Sequence, residues 1–491
     1  MKVMLIVPDS DPFATNKACR AGLAPILPIG LAYIAAELEK NNIAVVVEDQ
    51  FASKISNEAL IAKIRKEDPQ LVGFSCLTAS MGNVRVLVEQ IRKVKKDISI
   101  ILGNIHASVF GEQLIRNGVG DIVVEGEGEY KTRDVALAIR DNTPLRDIKG
   151  IIFKEGNTVY RNPPAELIPD LDGLPYPAWH LFDMSYYRRY PMLGMYGDTV
   201  IPVQASRGCP YQCFFCSQDK MYARPRYRRT RIVIDEIEYL HAKYGAGYFV
   251  FGDAFFPFSI SQGYEFCEEL IKRGLHKKIQ WFAETRVDLV NRELLLLMKK
   301  AGLRLLMYGF EVGNQKVLDS LGKNTTLEQA RNAMKYTKEA GVYCLGLFML
   351  GMPGETKATC EETIRFAKEL DCDIIKFNIA VPLPGSRFFD DYSREHKDIL
   401  TEVVSVERKF TSWTDWTADS GRDIYAPEGM TGKELIRLQR KAMFSFYMRP
   451  RIILRHLLRS SFSFKDLCFG GYFLFRQKLQ SLGEDLRSRF A

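Results

Sequence analysis

The chain has 491 residues, of which 46% are hydrophobic and 26% charged, a composition typical of a globular protein with two to four domains. Ten cysteines are too few for a disulfide scaffold, and no apolar run reaches the roughly 18 residues of a membrane-spanning helix. The start, MKVMLIVPDSDP, becomes polar too early for a signal peptide, so we expect a cytoplasmic protein. The net charge of +8 is uneven, because residues 433–478 hold eleven basic and two acidic side chains.

Residues 1–150 alternate apolar strands with amphipathic helices. Helices are predicted over PIGLAYIAAELEKNN and near residues 84–95, and strands in five segments: KVMLIVP, IAVVVED, QLVGFSCLT, SIILGN and DIVVEGEGE. Continuous apolar strands separated by helices indicate a parallel sheet covered on both faces, and five of them favour a flavodoxin-like (Rossmann-like) doubly wound domain. Ligands of such domains bind beyond the carboxyl ends of the strands, where this sequence is rich in glycine and polar residues.

The segment 151–198 is predicted to be a linker, because NPPAELIPDLDGLPYPAW is rich in proline. Residues 199–395 alternate strands and helices again. Six such units are too few for a complete eight-stranded barrel and predict a partial (β/α)6 TIM-type barrel, with its active site at the carboxyl ends of the strands. The predicted strands are Val200–Gln204, Tyr248–Phe251, Gln280–Glu284, Arg304–Tyr308, Val342–Leu350 and Ile374–Ala380.

Residues 396–491 are predicted to form a mostly helical, basic C-terminal region, in which basic and large apolar residues alternate. The alternation fits an amphipathic helix on an anionic membrane surface, and equally a helix packed on the barrel with a solvated basic face. Pro450 interrupts the helix and favours the second interpretation. No nucleic-acid-binding module is recognisable, so no nucleic-acid partner is expected.

The segment RGCPYQCFFCSQ places Cys209, Cys213 and Cys216 within eight residues, and no fourth cysteine follows nearby. Structural zinc sites use four closed ligands, and disulfide exchange needs only two cysteines. A 4Fe–4S cluster held by three thiolates keeps one iron open to a substrate or cofactor. The spacing therefore predicts such a cluster directly after the first strand of the barrel.

This motif, with Phe215 as the aromatic residue before the last cysteine, resembles that of the radical S-adenosylmethionine superfamily. The resemblance implies a 4Fe–4S cluster on the three cysteines, with S-adenosylmethionine bound to the open iron. It also implies one-electron cleavage of that cofactor to a 5′-deoxyadenosyl radical, with electrons from a donor such as a flavodoxin or ferredoxin.

Later strand ends resemble the same family, notably YGFEVGNQ and LGLFMLGMPGET. The resemblance implies contacts to S-adenosylmethionine from seven residues: Phe215, Asp253, Glu284, Arg286, Glu311, Gly351 and Gly354. Other readings stay open, since Glu311 could be a surface turn acid, Glu284 and Arg286 could pair with each other, and the glycines could serve turn geometry alone. Candidates for substrate contact near strand ends are Tyr308, Asn378 and Arg387.

The N-terminal segments LPIGLAYIAAELE, VGFSCLTAS, LGNIHAS and GDIVVEGEGE resemble the cobalamin-binding domain that precedes the barrel in one large radical subclass. The resemblance places seven residues at the cofactor: Gly73, Ser75, Thr78, Gly103, His106, Gly126 and Gly128. The motif DxHxxG, which supplies a cobalt ligand in other cobalamin proteins, is missing, so His106 is not assigned to cobalt. We expect it either to line the nucleotide-tail pocket or to be an ordinary loop residue. The family's GGPHA is here GNIHA, which departs from it at Asn104 and Ile105.

The two resemblances together imply an enzyme in which the radical removes hydrogen from an unactivated carbon and methylcobalamin supplies a methyl group. We therefore expect a methyltransferase acting on carbon, or on phosphinate phosphorus, of a small-molecule or lipid substrate. The rival is oxidative ring formation, since the chain and its C-terminal segment also resemble the anaerobic magnesium-protoporphyrin ester cyclase group. A different class of function is a cobalamin-binding sensor that has lost catalysis. The intact cysteine triad argues against this alternative.

Overall fold

The computed structural model describes residues 1–9, 25–187, 189–190, 195–196, 199–397 and 425–458. These residues form two compact units. The first takes in the described parts of Met1–Tyr187, Ser206–Arg229 and Pro382–Asp415, and the second those of Arg188–Ala205, Thr230–Val381 and Trp416–Ala491. The cysteine segment thus groups with the first unit, whereas the sequence placed it in a domain beginning at residue 199.

The first unit is built on a seven-stranded sheet with the strand order β2-β1-β3-β4-β5-β6-β7. The five strands expected from the apolar runs are parallel to one another, and the order 2-1-3-4-5 is that of a flavodoxin-like domain. The strands are β1 (Lys2–Val7), β2 (Ala44–Asp49), β3 (Leu71–Ser75), β4 (Ser99–Gly103), β5 (Ile122–Val124), β6 (Ile151–Glu155) and β7 (Thr158–Arg161). The predicted fold class is confirmed for this unit.

Strands β6 and β7 extend the sheet beyond the boundary predicted at residue 150. They are antiparallel additions joined by a tight turn, with Gly156 at φ +58°. The sequence prediction of an irregular linker from residue 151 therefore does not describe residues 151–161, because the prolines that suggested it begin only at Pro163. The side chains of Ile151, Ile152 and Phe153 are buried, which explains why this segment pairs with the sheet.

Helices alternate with the strands of the first unit, and three of them begin with a side-chain cap. Ser56, for example, accepts a hydrogen bond from Ala59 N (3.2 Å) at the start of a helix. The helices are α1 (Ile29–Lys40), α2 (Gln50–Ser53), α3 (Asn57–Glu67), α4 (Met81–Val94), α5 (Ile105–Arg116), α6 (Glu129–Asp141) and, after the cysteines, α7 (Gln218–Met221).

The second unit is built on six parallel strands paired in chain order, the sheet of a partial TIM-type barrel. The strands are β8 (Val200–Val203), β9 (Tyr248–Phe251), β10 (Gln280–Thr285), β11 (Leu303–Glu311), β12 (Tyr343–Leu350) and β13 (Ile374–Ile379). The helices between them are α8 (Thr230–Tyr244), α9 (Ile260–Lys272), α10 (Arg292–Lys300), α11 (Gln315–Ser320), α12 (Leu327–Glu339) and α13 (Lys357–Leu370). The predicted partial barrel is confirmed.

Within the described residues, three more helices follow the last strand of the second sheet: α14 (Arg387–Glu395) in the first unit, and α15 (Gly432–Tyr447) and α16 (Pro450–Leu458) in the second. Helix α15 covers the edge strand β13, because Tyr447 Oη donates to Ile375 O (2.7 Å) and Gln439 Nε2 donates to Phe377 O (2.8 Å). A paired edge is protected from other chains.

The basic residues after α15 have acidic partners in the second unit. Arg449, Arg451 and Arg455 all lie within ion-pair distance of the buried Asp371. Helix α16 also exposes apolar side chains, among them Leu457 (51% exposed), so a membrane contact stays a prediction. The rest of the predicted C-terminal region, residues 398–424 and 459–491, lies outside the described residues. No described helix has both the length and the apolar character that crossing a membrane requires.

Candidate functional site

The cysteine loop, which we define as residues 208–225, stands out by its exposure. Cys209 and Cys213 are half-buried and Cys216 is exposed, whereas the five other described cysteines are buried. Burial raises the pKa of three of those thiols, Cys76, Cys267 and Cys360, to about 12. Among the described cysteines, only the three of the loop are both accessible to solvent and close to one another in the sequence. Solvent-accessible thiolates are the ones that bind metals.

The two ends of the cysteine loop are held together by a short antiparallel ladder. Ser206 pairs with Tyr227, and Arg207 pairs with Arg226. Gly208 follows the ladder at φ +83°, and a Cβ built there would lie 2.4 Å from Arg224 O. Glycine is therefore required at the point where the chain turns into the motif.

The middle of the loop is clamped by the segment that begins α14. Phe388 N donates to Phe214 O (3.0 Å), and the two phenyl rings stack with their centroids 5.4 Å apart. Arg387, a candidate for substrate contact, instead donates to Gln212 O (2.5 Å). Phe215, next to this clamp, is half-buried.

A buried ionic network fixes the first end of the loop to the carboxyl edge of the sheet. Arg207 donates to Glu127 (2.8 Å) and Glu129 (2.6 Å), and all three side chains are at most 5% exposed. Arg226 donates to Glu127 as well (2.7 Å). Burial opposes the charge of Arg207, but Glu129 and Glu127 raise its pKa above the usual value, so the guanidinium stays charged.

A cavity of about 260 Å³ opens at the carboxyl ends of the parallel strands of the first unit. Five of the seven residues predicted to bind cobalamin line it: Gly73, Ser75, Gly103, Gly126 and Gly128. Glu127 and Glu129 line it too, as do Met221 and Tyr222 from the far end of the cysteine loop.

The glycines of this cavity serve two purposes. A Cβ at Gly73 would lie 2.9 Å from Leu5 Cδ2, and one at Gly128 would lie 2.8 Å from Ile34 Cδ1, so these two permit close packing. Apart from residues adjacent in the chain or in the same helix, no heavy atom of the described residues lies within 4 Å of the Cβ position at Gly103 or Gly30. There the missing side chains leave room for a ligand.

Thr78 and His106 are not among the residues that line the cavity. His106 is 1% exposed and its Nδ1 lies 3.1 Å from Thr78 Oγ1, while its Nε2 has no hydrogen-bond partner among the described residues. Burial, with a contribution from Arg85, lowers the pKa of His106 to about 3, so the ring is neutral. Asn104, which departs from the family motif, occupies a left-handed position (φ +77°) that favours the usual glycine.

In the second unit, Glu311 ends β11 at φ +64°, after a register shift in the pairing with β12. Its carboxylate accepts a hydrogen bond from the buried Lys323, which also donates to Gly309 O. A Cβ at Gly309 would lie 2.5 Å from Glu311 Oε1, so only glycine leaves space for this pair. A strained, buried and ion-paired carboxylate is typical of a functional site.

Glu284 lies close enough to Glu311 that burial and this second carboxylate raise its pKa. Its side chain makes no hydrogen bond to any described residue, and the charge of Lys323 is the one nearby influence that lowers its pKa. Arg286 does not pair with Glu284; it binds Asp288 through two hydrogen bonds (both 2.9 Å) and donates to Lys323 O. Asp253 accepts from Ala205 N (3.1 Å) and so fixes the chain just before the cysteine segment.

The turn GMPGET after β12 places Gly351 and Gly354 at φ +84° and +81°. The buried Glu355 holds the turn by accepting from Gly351 N (2.7 Å) and Met352 N (2.9 Å). Burial raises the pKa of Glu355 to about 6.

Replacement of Glu355 by glutamine should remove a pH dependence of stability. Because the folded state raises this pKa from 4.5 to about 6, the group stabilises the fold below pH 4.5 and loses that contribution as the pH rises through 6. The lost free energy of unfolding is about 2 kcal/mol. We expect Glu355→Gln to keep both backbone hydrogen bonds. Its thermal midpoint should rise relative to that of the parent as the pH increases from 4.5 to 7, because only the parent loses stability over this range.

Thermal midpoints of the apoprotein across this pH range measure the effect. Glu369→Gln, which removes a 51% exposed carboxylate, is the control and should leave the pH dependence unchanged. Parallel pH curves for the parent and Glu355→Gln would contradict the prediction.

The sequence matches the Radical SAM superfamily over residues 203–367 and the B12 binding domain over residues 22–136. A protein of Pyrococcus horikoshii named as an uncharacterized methyltransferase is 29% identical over 93% of this chain and 95% of its own length. The anaerobic magnesium-protoporphyrin IX monomethyl ester cyclase of Rubrivivax gelatinosus is 31% identical over 80% of this chain and 70% of its own length. The chain belongs to the radical S-adenosylmethionine enzymes that carry a B12 binding domain.

Solved structures agree on the fold of this family. A radical S-adenosylmethionine methyltransferase from Kitasatospora setae, with cobalamin and a 4Fe–4S cluster bound, matches with a TM-score of 0.66. It is 20% identical, and the match covers 80% of this chain and 75% of that one. Membership in the family implies three cofactors: a 4Fe–4S cluster, S-adenosylmethionine and cobalamin.

The cysteine loop of this radical enzyme fits a cluster better than a single metal ion. No three His, Cys, Asp or Glu side chains of the described ranges converge closely enough to hold one ion. A 4Fe–4S cluster needs no such convergence, since each thiolate binds a different iron. Three accessible thiols on a loop clamped at both ends and in the middle suit that requirement.

The cavity suits a part of the B12 cofactor of the family, since it combines apolar and polar walls with open space at two glycines. We expect Gly103→Ala to leave the fold intact and to weaken cobalamin binding about tenfold, because its methyl group would enter the ligand space. Titration of the apoprotein with hydroxocobalamin measures the affinity. Gly247→Ala, which also has no heavy atom within 4 Å of its Cβ but lies in the second unit, is the control. Equal affinities of the two variants would contradict the assignment of Gly103.

Sequence reasoning missed four charged residues of the site: Glu127, Glu129, Arg207 and Lys323. Arg207 and the two glutamates stood inside segments quoted for their cysteines and glycines. A charged residue beside a ligand motif was the signal that could have found these three, whereas Lys323 lies outside every motif segment.

Proposed function

We propose that this protein is a cobalamin-dependent methyltransferase that acts on an unactivated carbon, or a phosphorus, of a small-molecule or lipid substrate. The observation that carries the proposal is that one compact unit contains both the cysteine loop and the cavity suited to cobalamin. The Pyrococcus horikoshii relative supports it, because the similarity extends over nearly the whole of both chains.

The cofactors, when bound, supply the one-electron cleavage of S-adenosylmethionine and the carriage of a methyl group. Cys209, Cys213 and Cys216 would hold three irons and leave the fourth to S-adenosylmethionine. In the second unit, Glu284 and Glu311 offer carboxylates at adjacent strand ends, which suit the ammonium or sulfonium of that cofactor. Lys323 keeps Glu311 in place, and Gly351 and Gly354 leave a turn with little side-chain bulk.

Oxidative cyclisation is the second candidate, and the observation that favours it is the 31% identity to the Rubrivivax gelatinosus cyclase. The match covers 70% of that relative, so a substantial part of it has no counterpart in the alignment. We rank methylation first for this reason. Either reaction draws its electrons from a donor such as a flavodoxin or ferredoxin.

The products of S-adenosylmethionine distinguish the two reactions. The reconstituted protein is incubated without oxygen with a chemical reductant, methyl-deuterated S-adenosylmethionine, and soluble or lipid extracts of the cells that make it. Methylation consumes the cofactor twice, so 5′-deoxyadenosine and S-adenosylhomocysteine should form in equal amounts and a deuterated methyl group should appear in a product. 5′-Deoxyadenosine without S-adenosylhomocysteine would overturn the methyltransferase and favour the cyclase.

The fraction that receives the label identifies the class of substrate. A labelled soluble product would indicate a small molecule, and a labelled lipid would indicate a lipid. Cys213→Ala protein serves as the control and should give neither nucleoside product.

A further inference from the structure

Both ends of the cysteine loop reach the wall of the cavity in the first unit. At the first end, Arg207 binds Glu127 and Glu129, which line the cavity. At the other end, Met221 and Tyr222 line the same cavity directly. Both ends of the loop that carries the three cysteines are therefore attached to the wall of this cavity.

The ion pairs of Arg207 are costly to break because they are buried. Arg207, Glu127 and Glu129 are 3%, 4% and 5% exposed, so the loss of one partner would leave the remaining buried charges less fully compensated. Glu127 is further fixed by Arg226 (2.7 Å) and by Ile168 N, which donates to it (2.9 Å).

Glu127 and Glu129 belong to the segment of backbone that a ligand in the cavity would contact. Glu127 and Glu129 alternate with Gly126 and Gly128, and all four line the cavity. The guanidinium of Arg207 also lies 5.8 Å from the ring centroid of Tyr222, which joins the two ends of the loop. Any ligand that orders this wall therefore orders both ends of the loop.

We propose that Arg207, Glu127 and Glu129 are positioning residues that couple the occupancy of the cobalamin cavity to the stability of the cluster on the cysteine loop. The inference rests on the cofactor pair of the proposed function. Since coupling between two binding sites is reciprocal, cobalamin should retain the cluster, and the cluster should strengthen cobalamin binding by the same factor.

The rate at which a chelator removes iron tests this directly. The full chain is reconstituted without oxygen, and iron loss to a ferrous chelator is followed with and without saturating hydroxocobalamin. We expect cobalamin to slow the loss at least about fivefold, the lower range of measured couplings. An equal rate in both samples, with both cofactors bound, would overturn the proposal.

Glu129→Gln tests whether the network carries the coupling. Glutamine keeps the size and can still accept from Arg207, but it removes the charge. We expect this variant to bind both cofactors and to lose most of the protection, and Glu129→Asp, which keeps the charge, to regain part of it. Full protection in Glu129→Gln would overturn the role of these residues.

Glu37→Gln is the matched control. Glu37 is a buried carboxylate (2% exposed) of the same unit that binds Arg133 (2.8 Å), and neither residue lines the cavity. This variant should keep the full protection, which separates a coupling role from a general loss of stability.

A measurement without variants checks the same quantity. Cobalamin affinity is titrated before and after cluster assembly, and the ratio should equal the factor found in the iron-loss rates when those rates report the equilibrium. An affinity that does not depend on the cluster would overturn the coupling alone. A chain that assembles neither cofactor would overturn the proposed function as well.

Discussion

Cys213→Ala should abolish both cluster assembly and the reductive cleavage of S-adenosylmethionine, while cobalamin still binds at saturating concentration. Each cysteine of the loop supplies one of three protein ligands, so its loss leaves two iron sites without protein support. The cavity lies at the strand ends of the first unit and contains no cysteine, so its walls are unchanged. Iron content, 5′-deoxyadenosine formation and cobalamin absorbance after desalting measure the three properties.

Cys267→Ala is the control for this result. Cys267 is buried in α9 of the second unit and takes no part in the loop. This variant should keep iron and cleavage activity with a modest loss of stability. Cleavage that survives in Cys213→Ala would contradict the assignment of the cluster to these three residues.

Glu311→Gln should weaken the binding of S-adenosylmethionine roughly 10- to 100-fold, with the cluster intact. A hydrogen bond to a charged group contributes about 1.5–3 kcal/mol, which corresponds to that range. Glutamine is preferred to alanine because its amide oxygen still accepts a hydrogen bond from Lys323, whose buried ammonium would otherwise lose this acceptor as well as the charge. Equilibrium binding of S-adenosylmethionine to the reconstituted protein measures the affinity.

Glu362→Gln controls for the loss of a carboxylate near the same motif. Glu362 accepts a hydrogen bond (2.6 Å) from Asn314, and Asn314 lies three residues after Glu311 in the chain. The side chain of Glu362 is 38% exposed. Its replacement should leave the affinity unchanged. An unchanged affinity in Glu311→Gln would make Glu311 a structural turn residue.

The parallel strands of both units could be predicted closely, because burial on both faces produces continuous apolar runs. The strand Tyr248–Phe251 begins and ends where the pattern placed it. Strand β11 runs three residues beyond its predicted end, through Gly309 to Glu311, because the pairing with β12 continues across an irregular register that periodicity does not reveal.

The partners of the site residues could not be predicted, because they come from distant parts of the chain. Glu127 and Arg207 are 80 residues apart, and Glu311 and Lys323 are separated by a helix and a turn. Local pattern identifies which residues carry chemistry, while long-range pairing decides which of them stay open to a ligand. Arg286 illustrates this, since it binds the neighbouring Asp288 and also donates to Lys323 O, 37 residues further along the chain.

The composition of the protein after anaerobic reconstitution tests the central claim most directly. The chain is incubated with iron, sulfide and hydroxocobalamin, desalted, and analysed for iron, sulfide, cobalt and visible absorbance. About four irons with one cobalamin per chain are expected from three cysteine ligands and one cavity. A preparation that retains no iron–sulfur absorbance, or that binds the cluster but no cobalamin, would contradict the account of an enzyme with both cofactors in one unit.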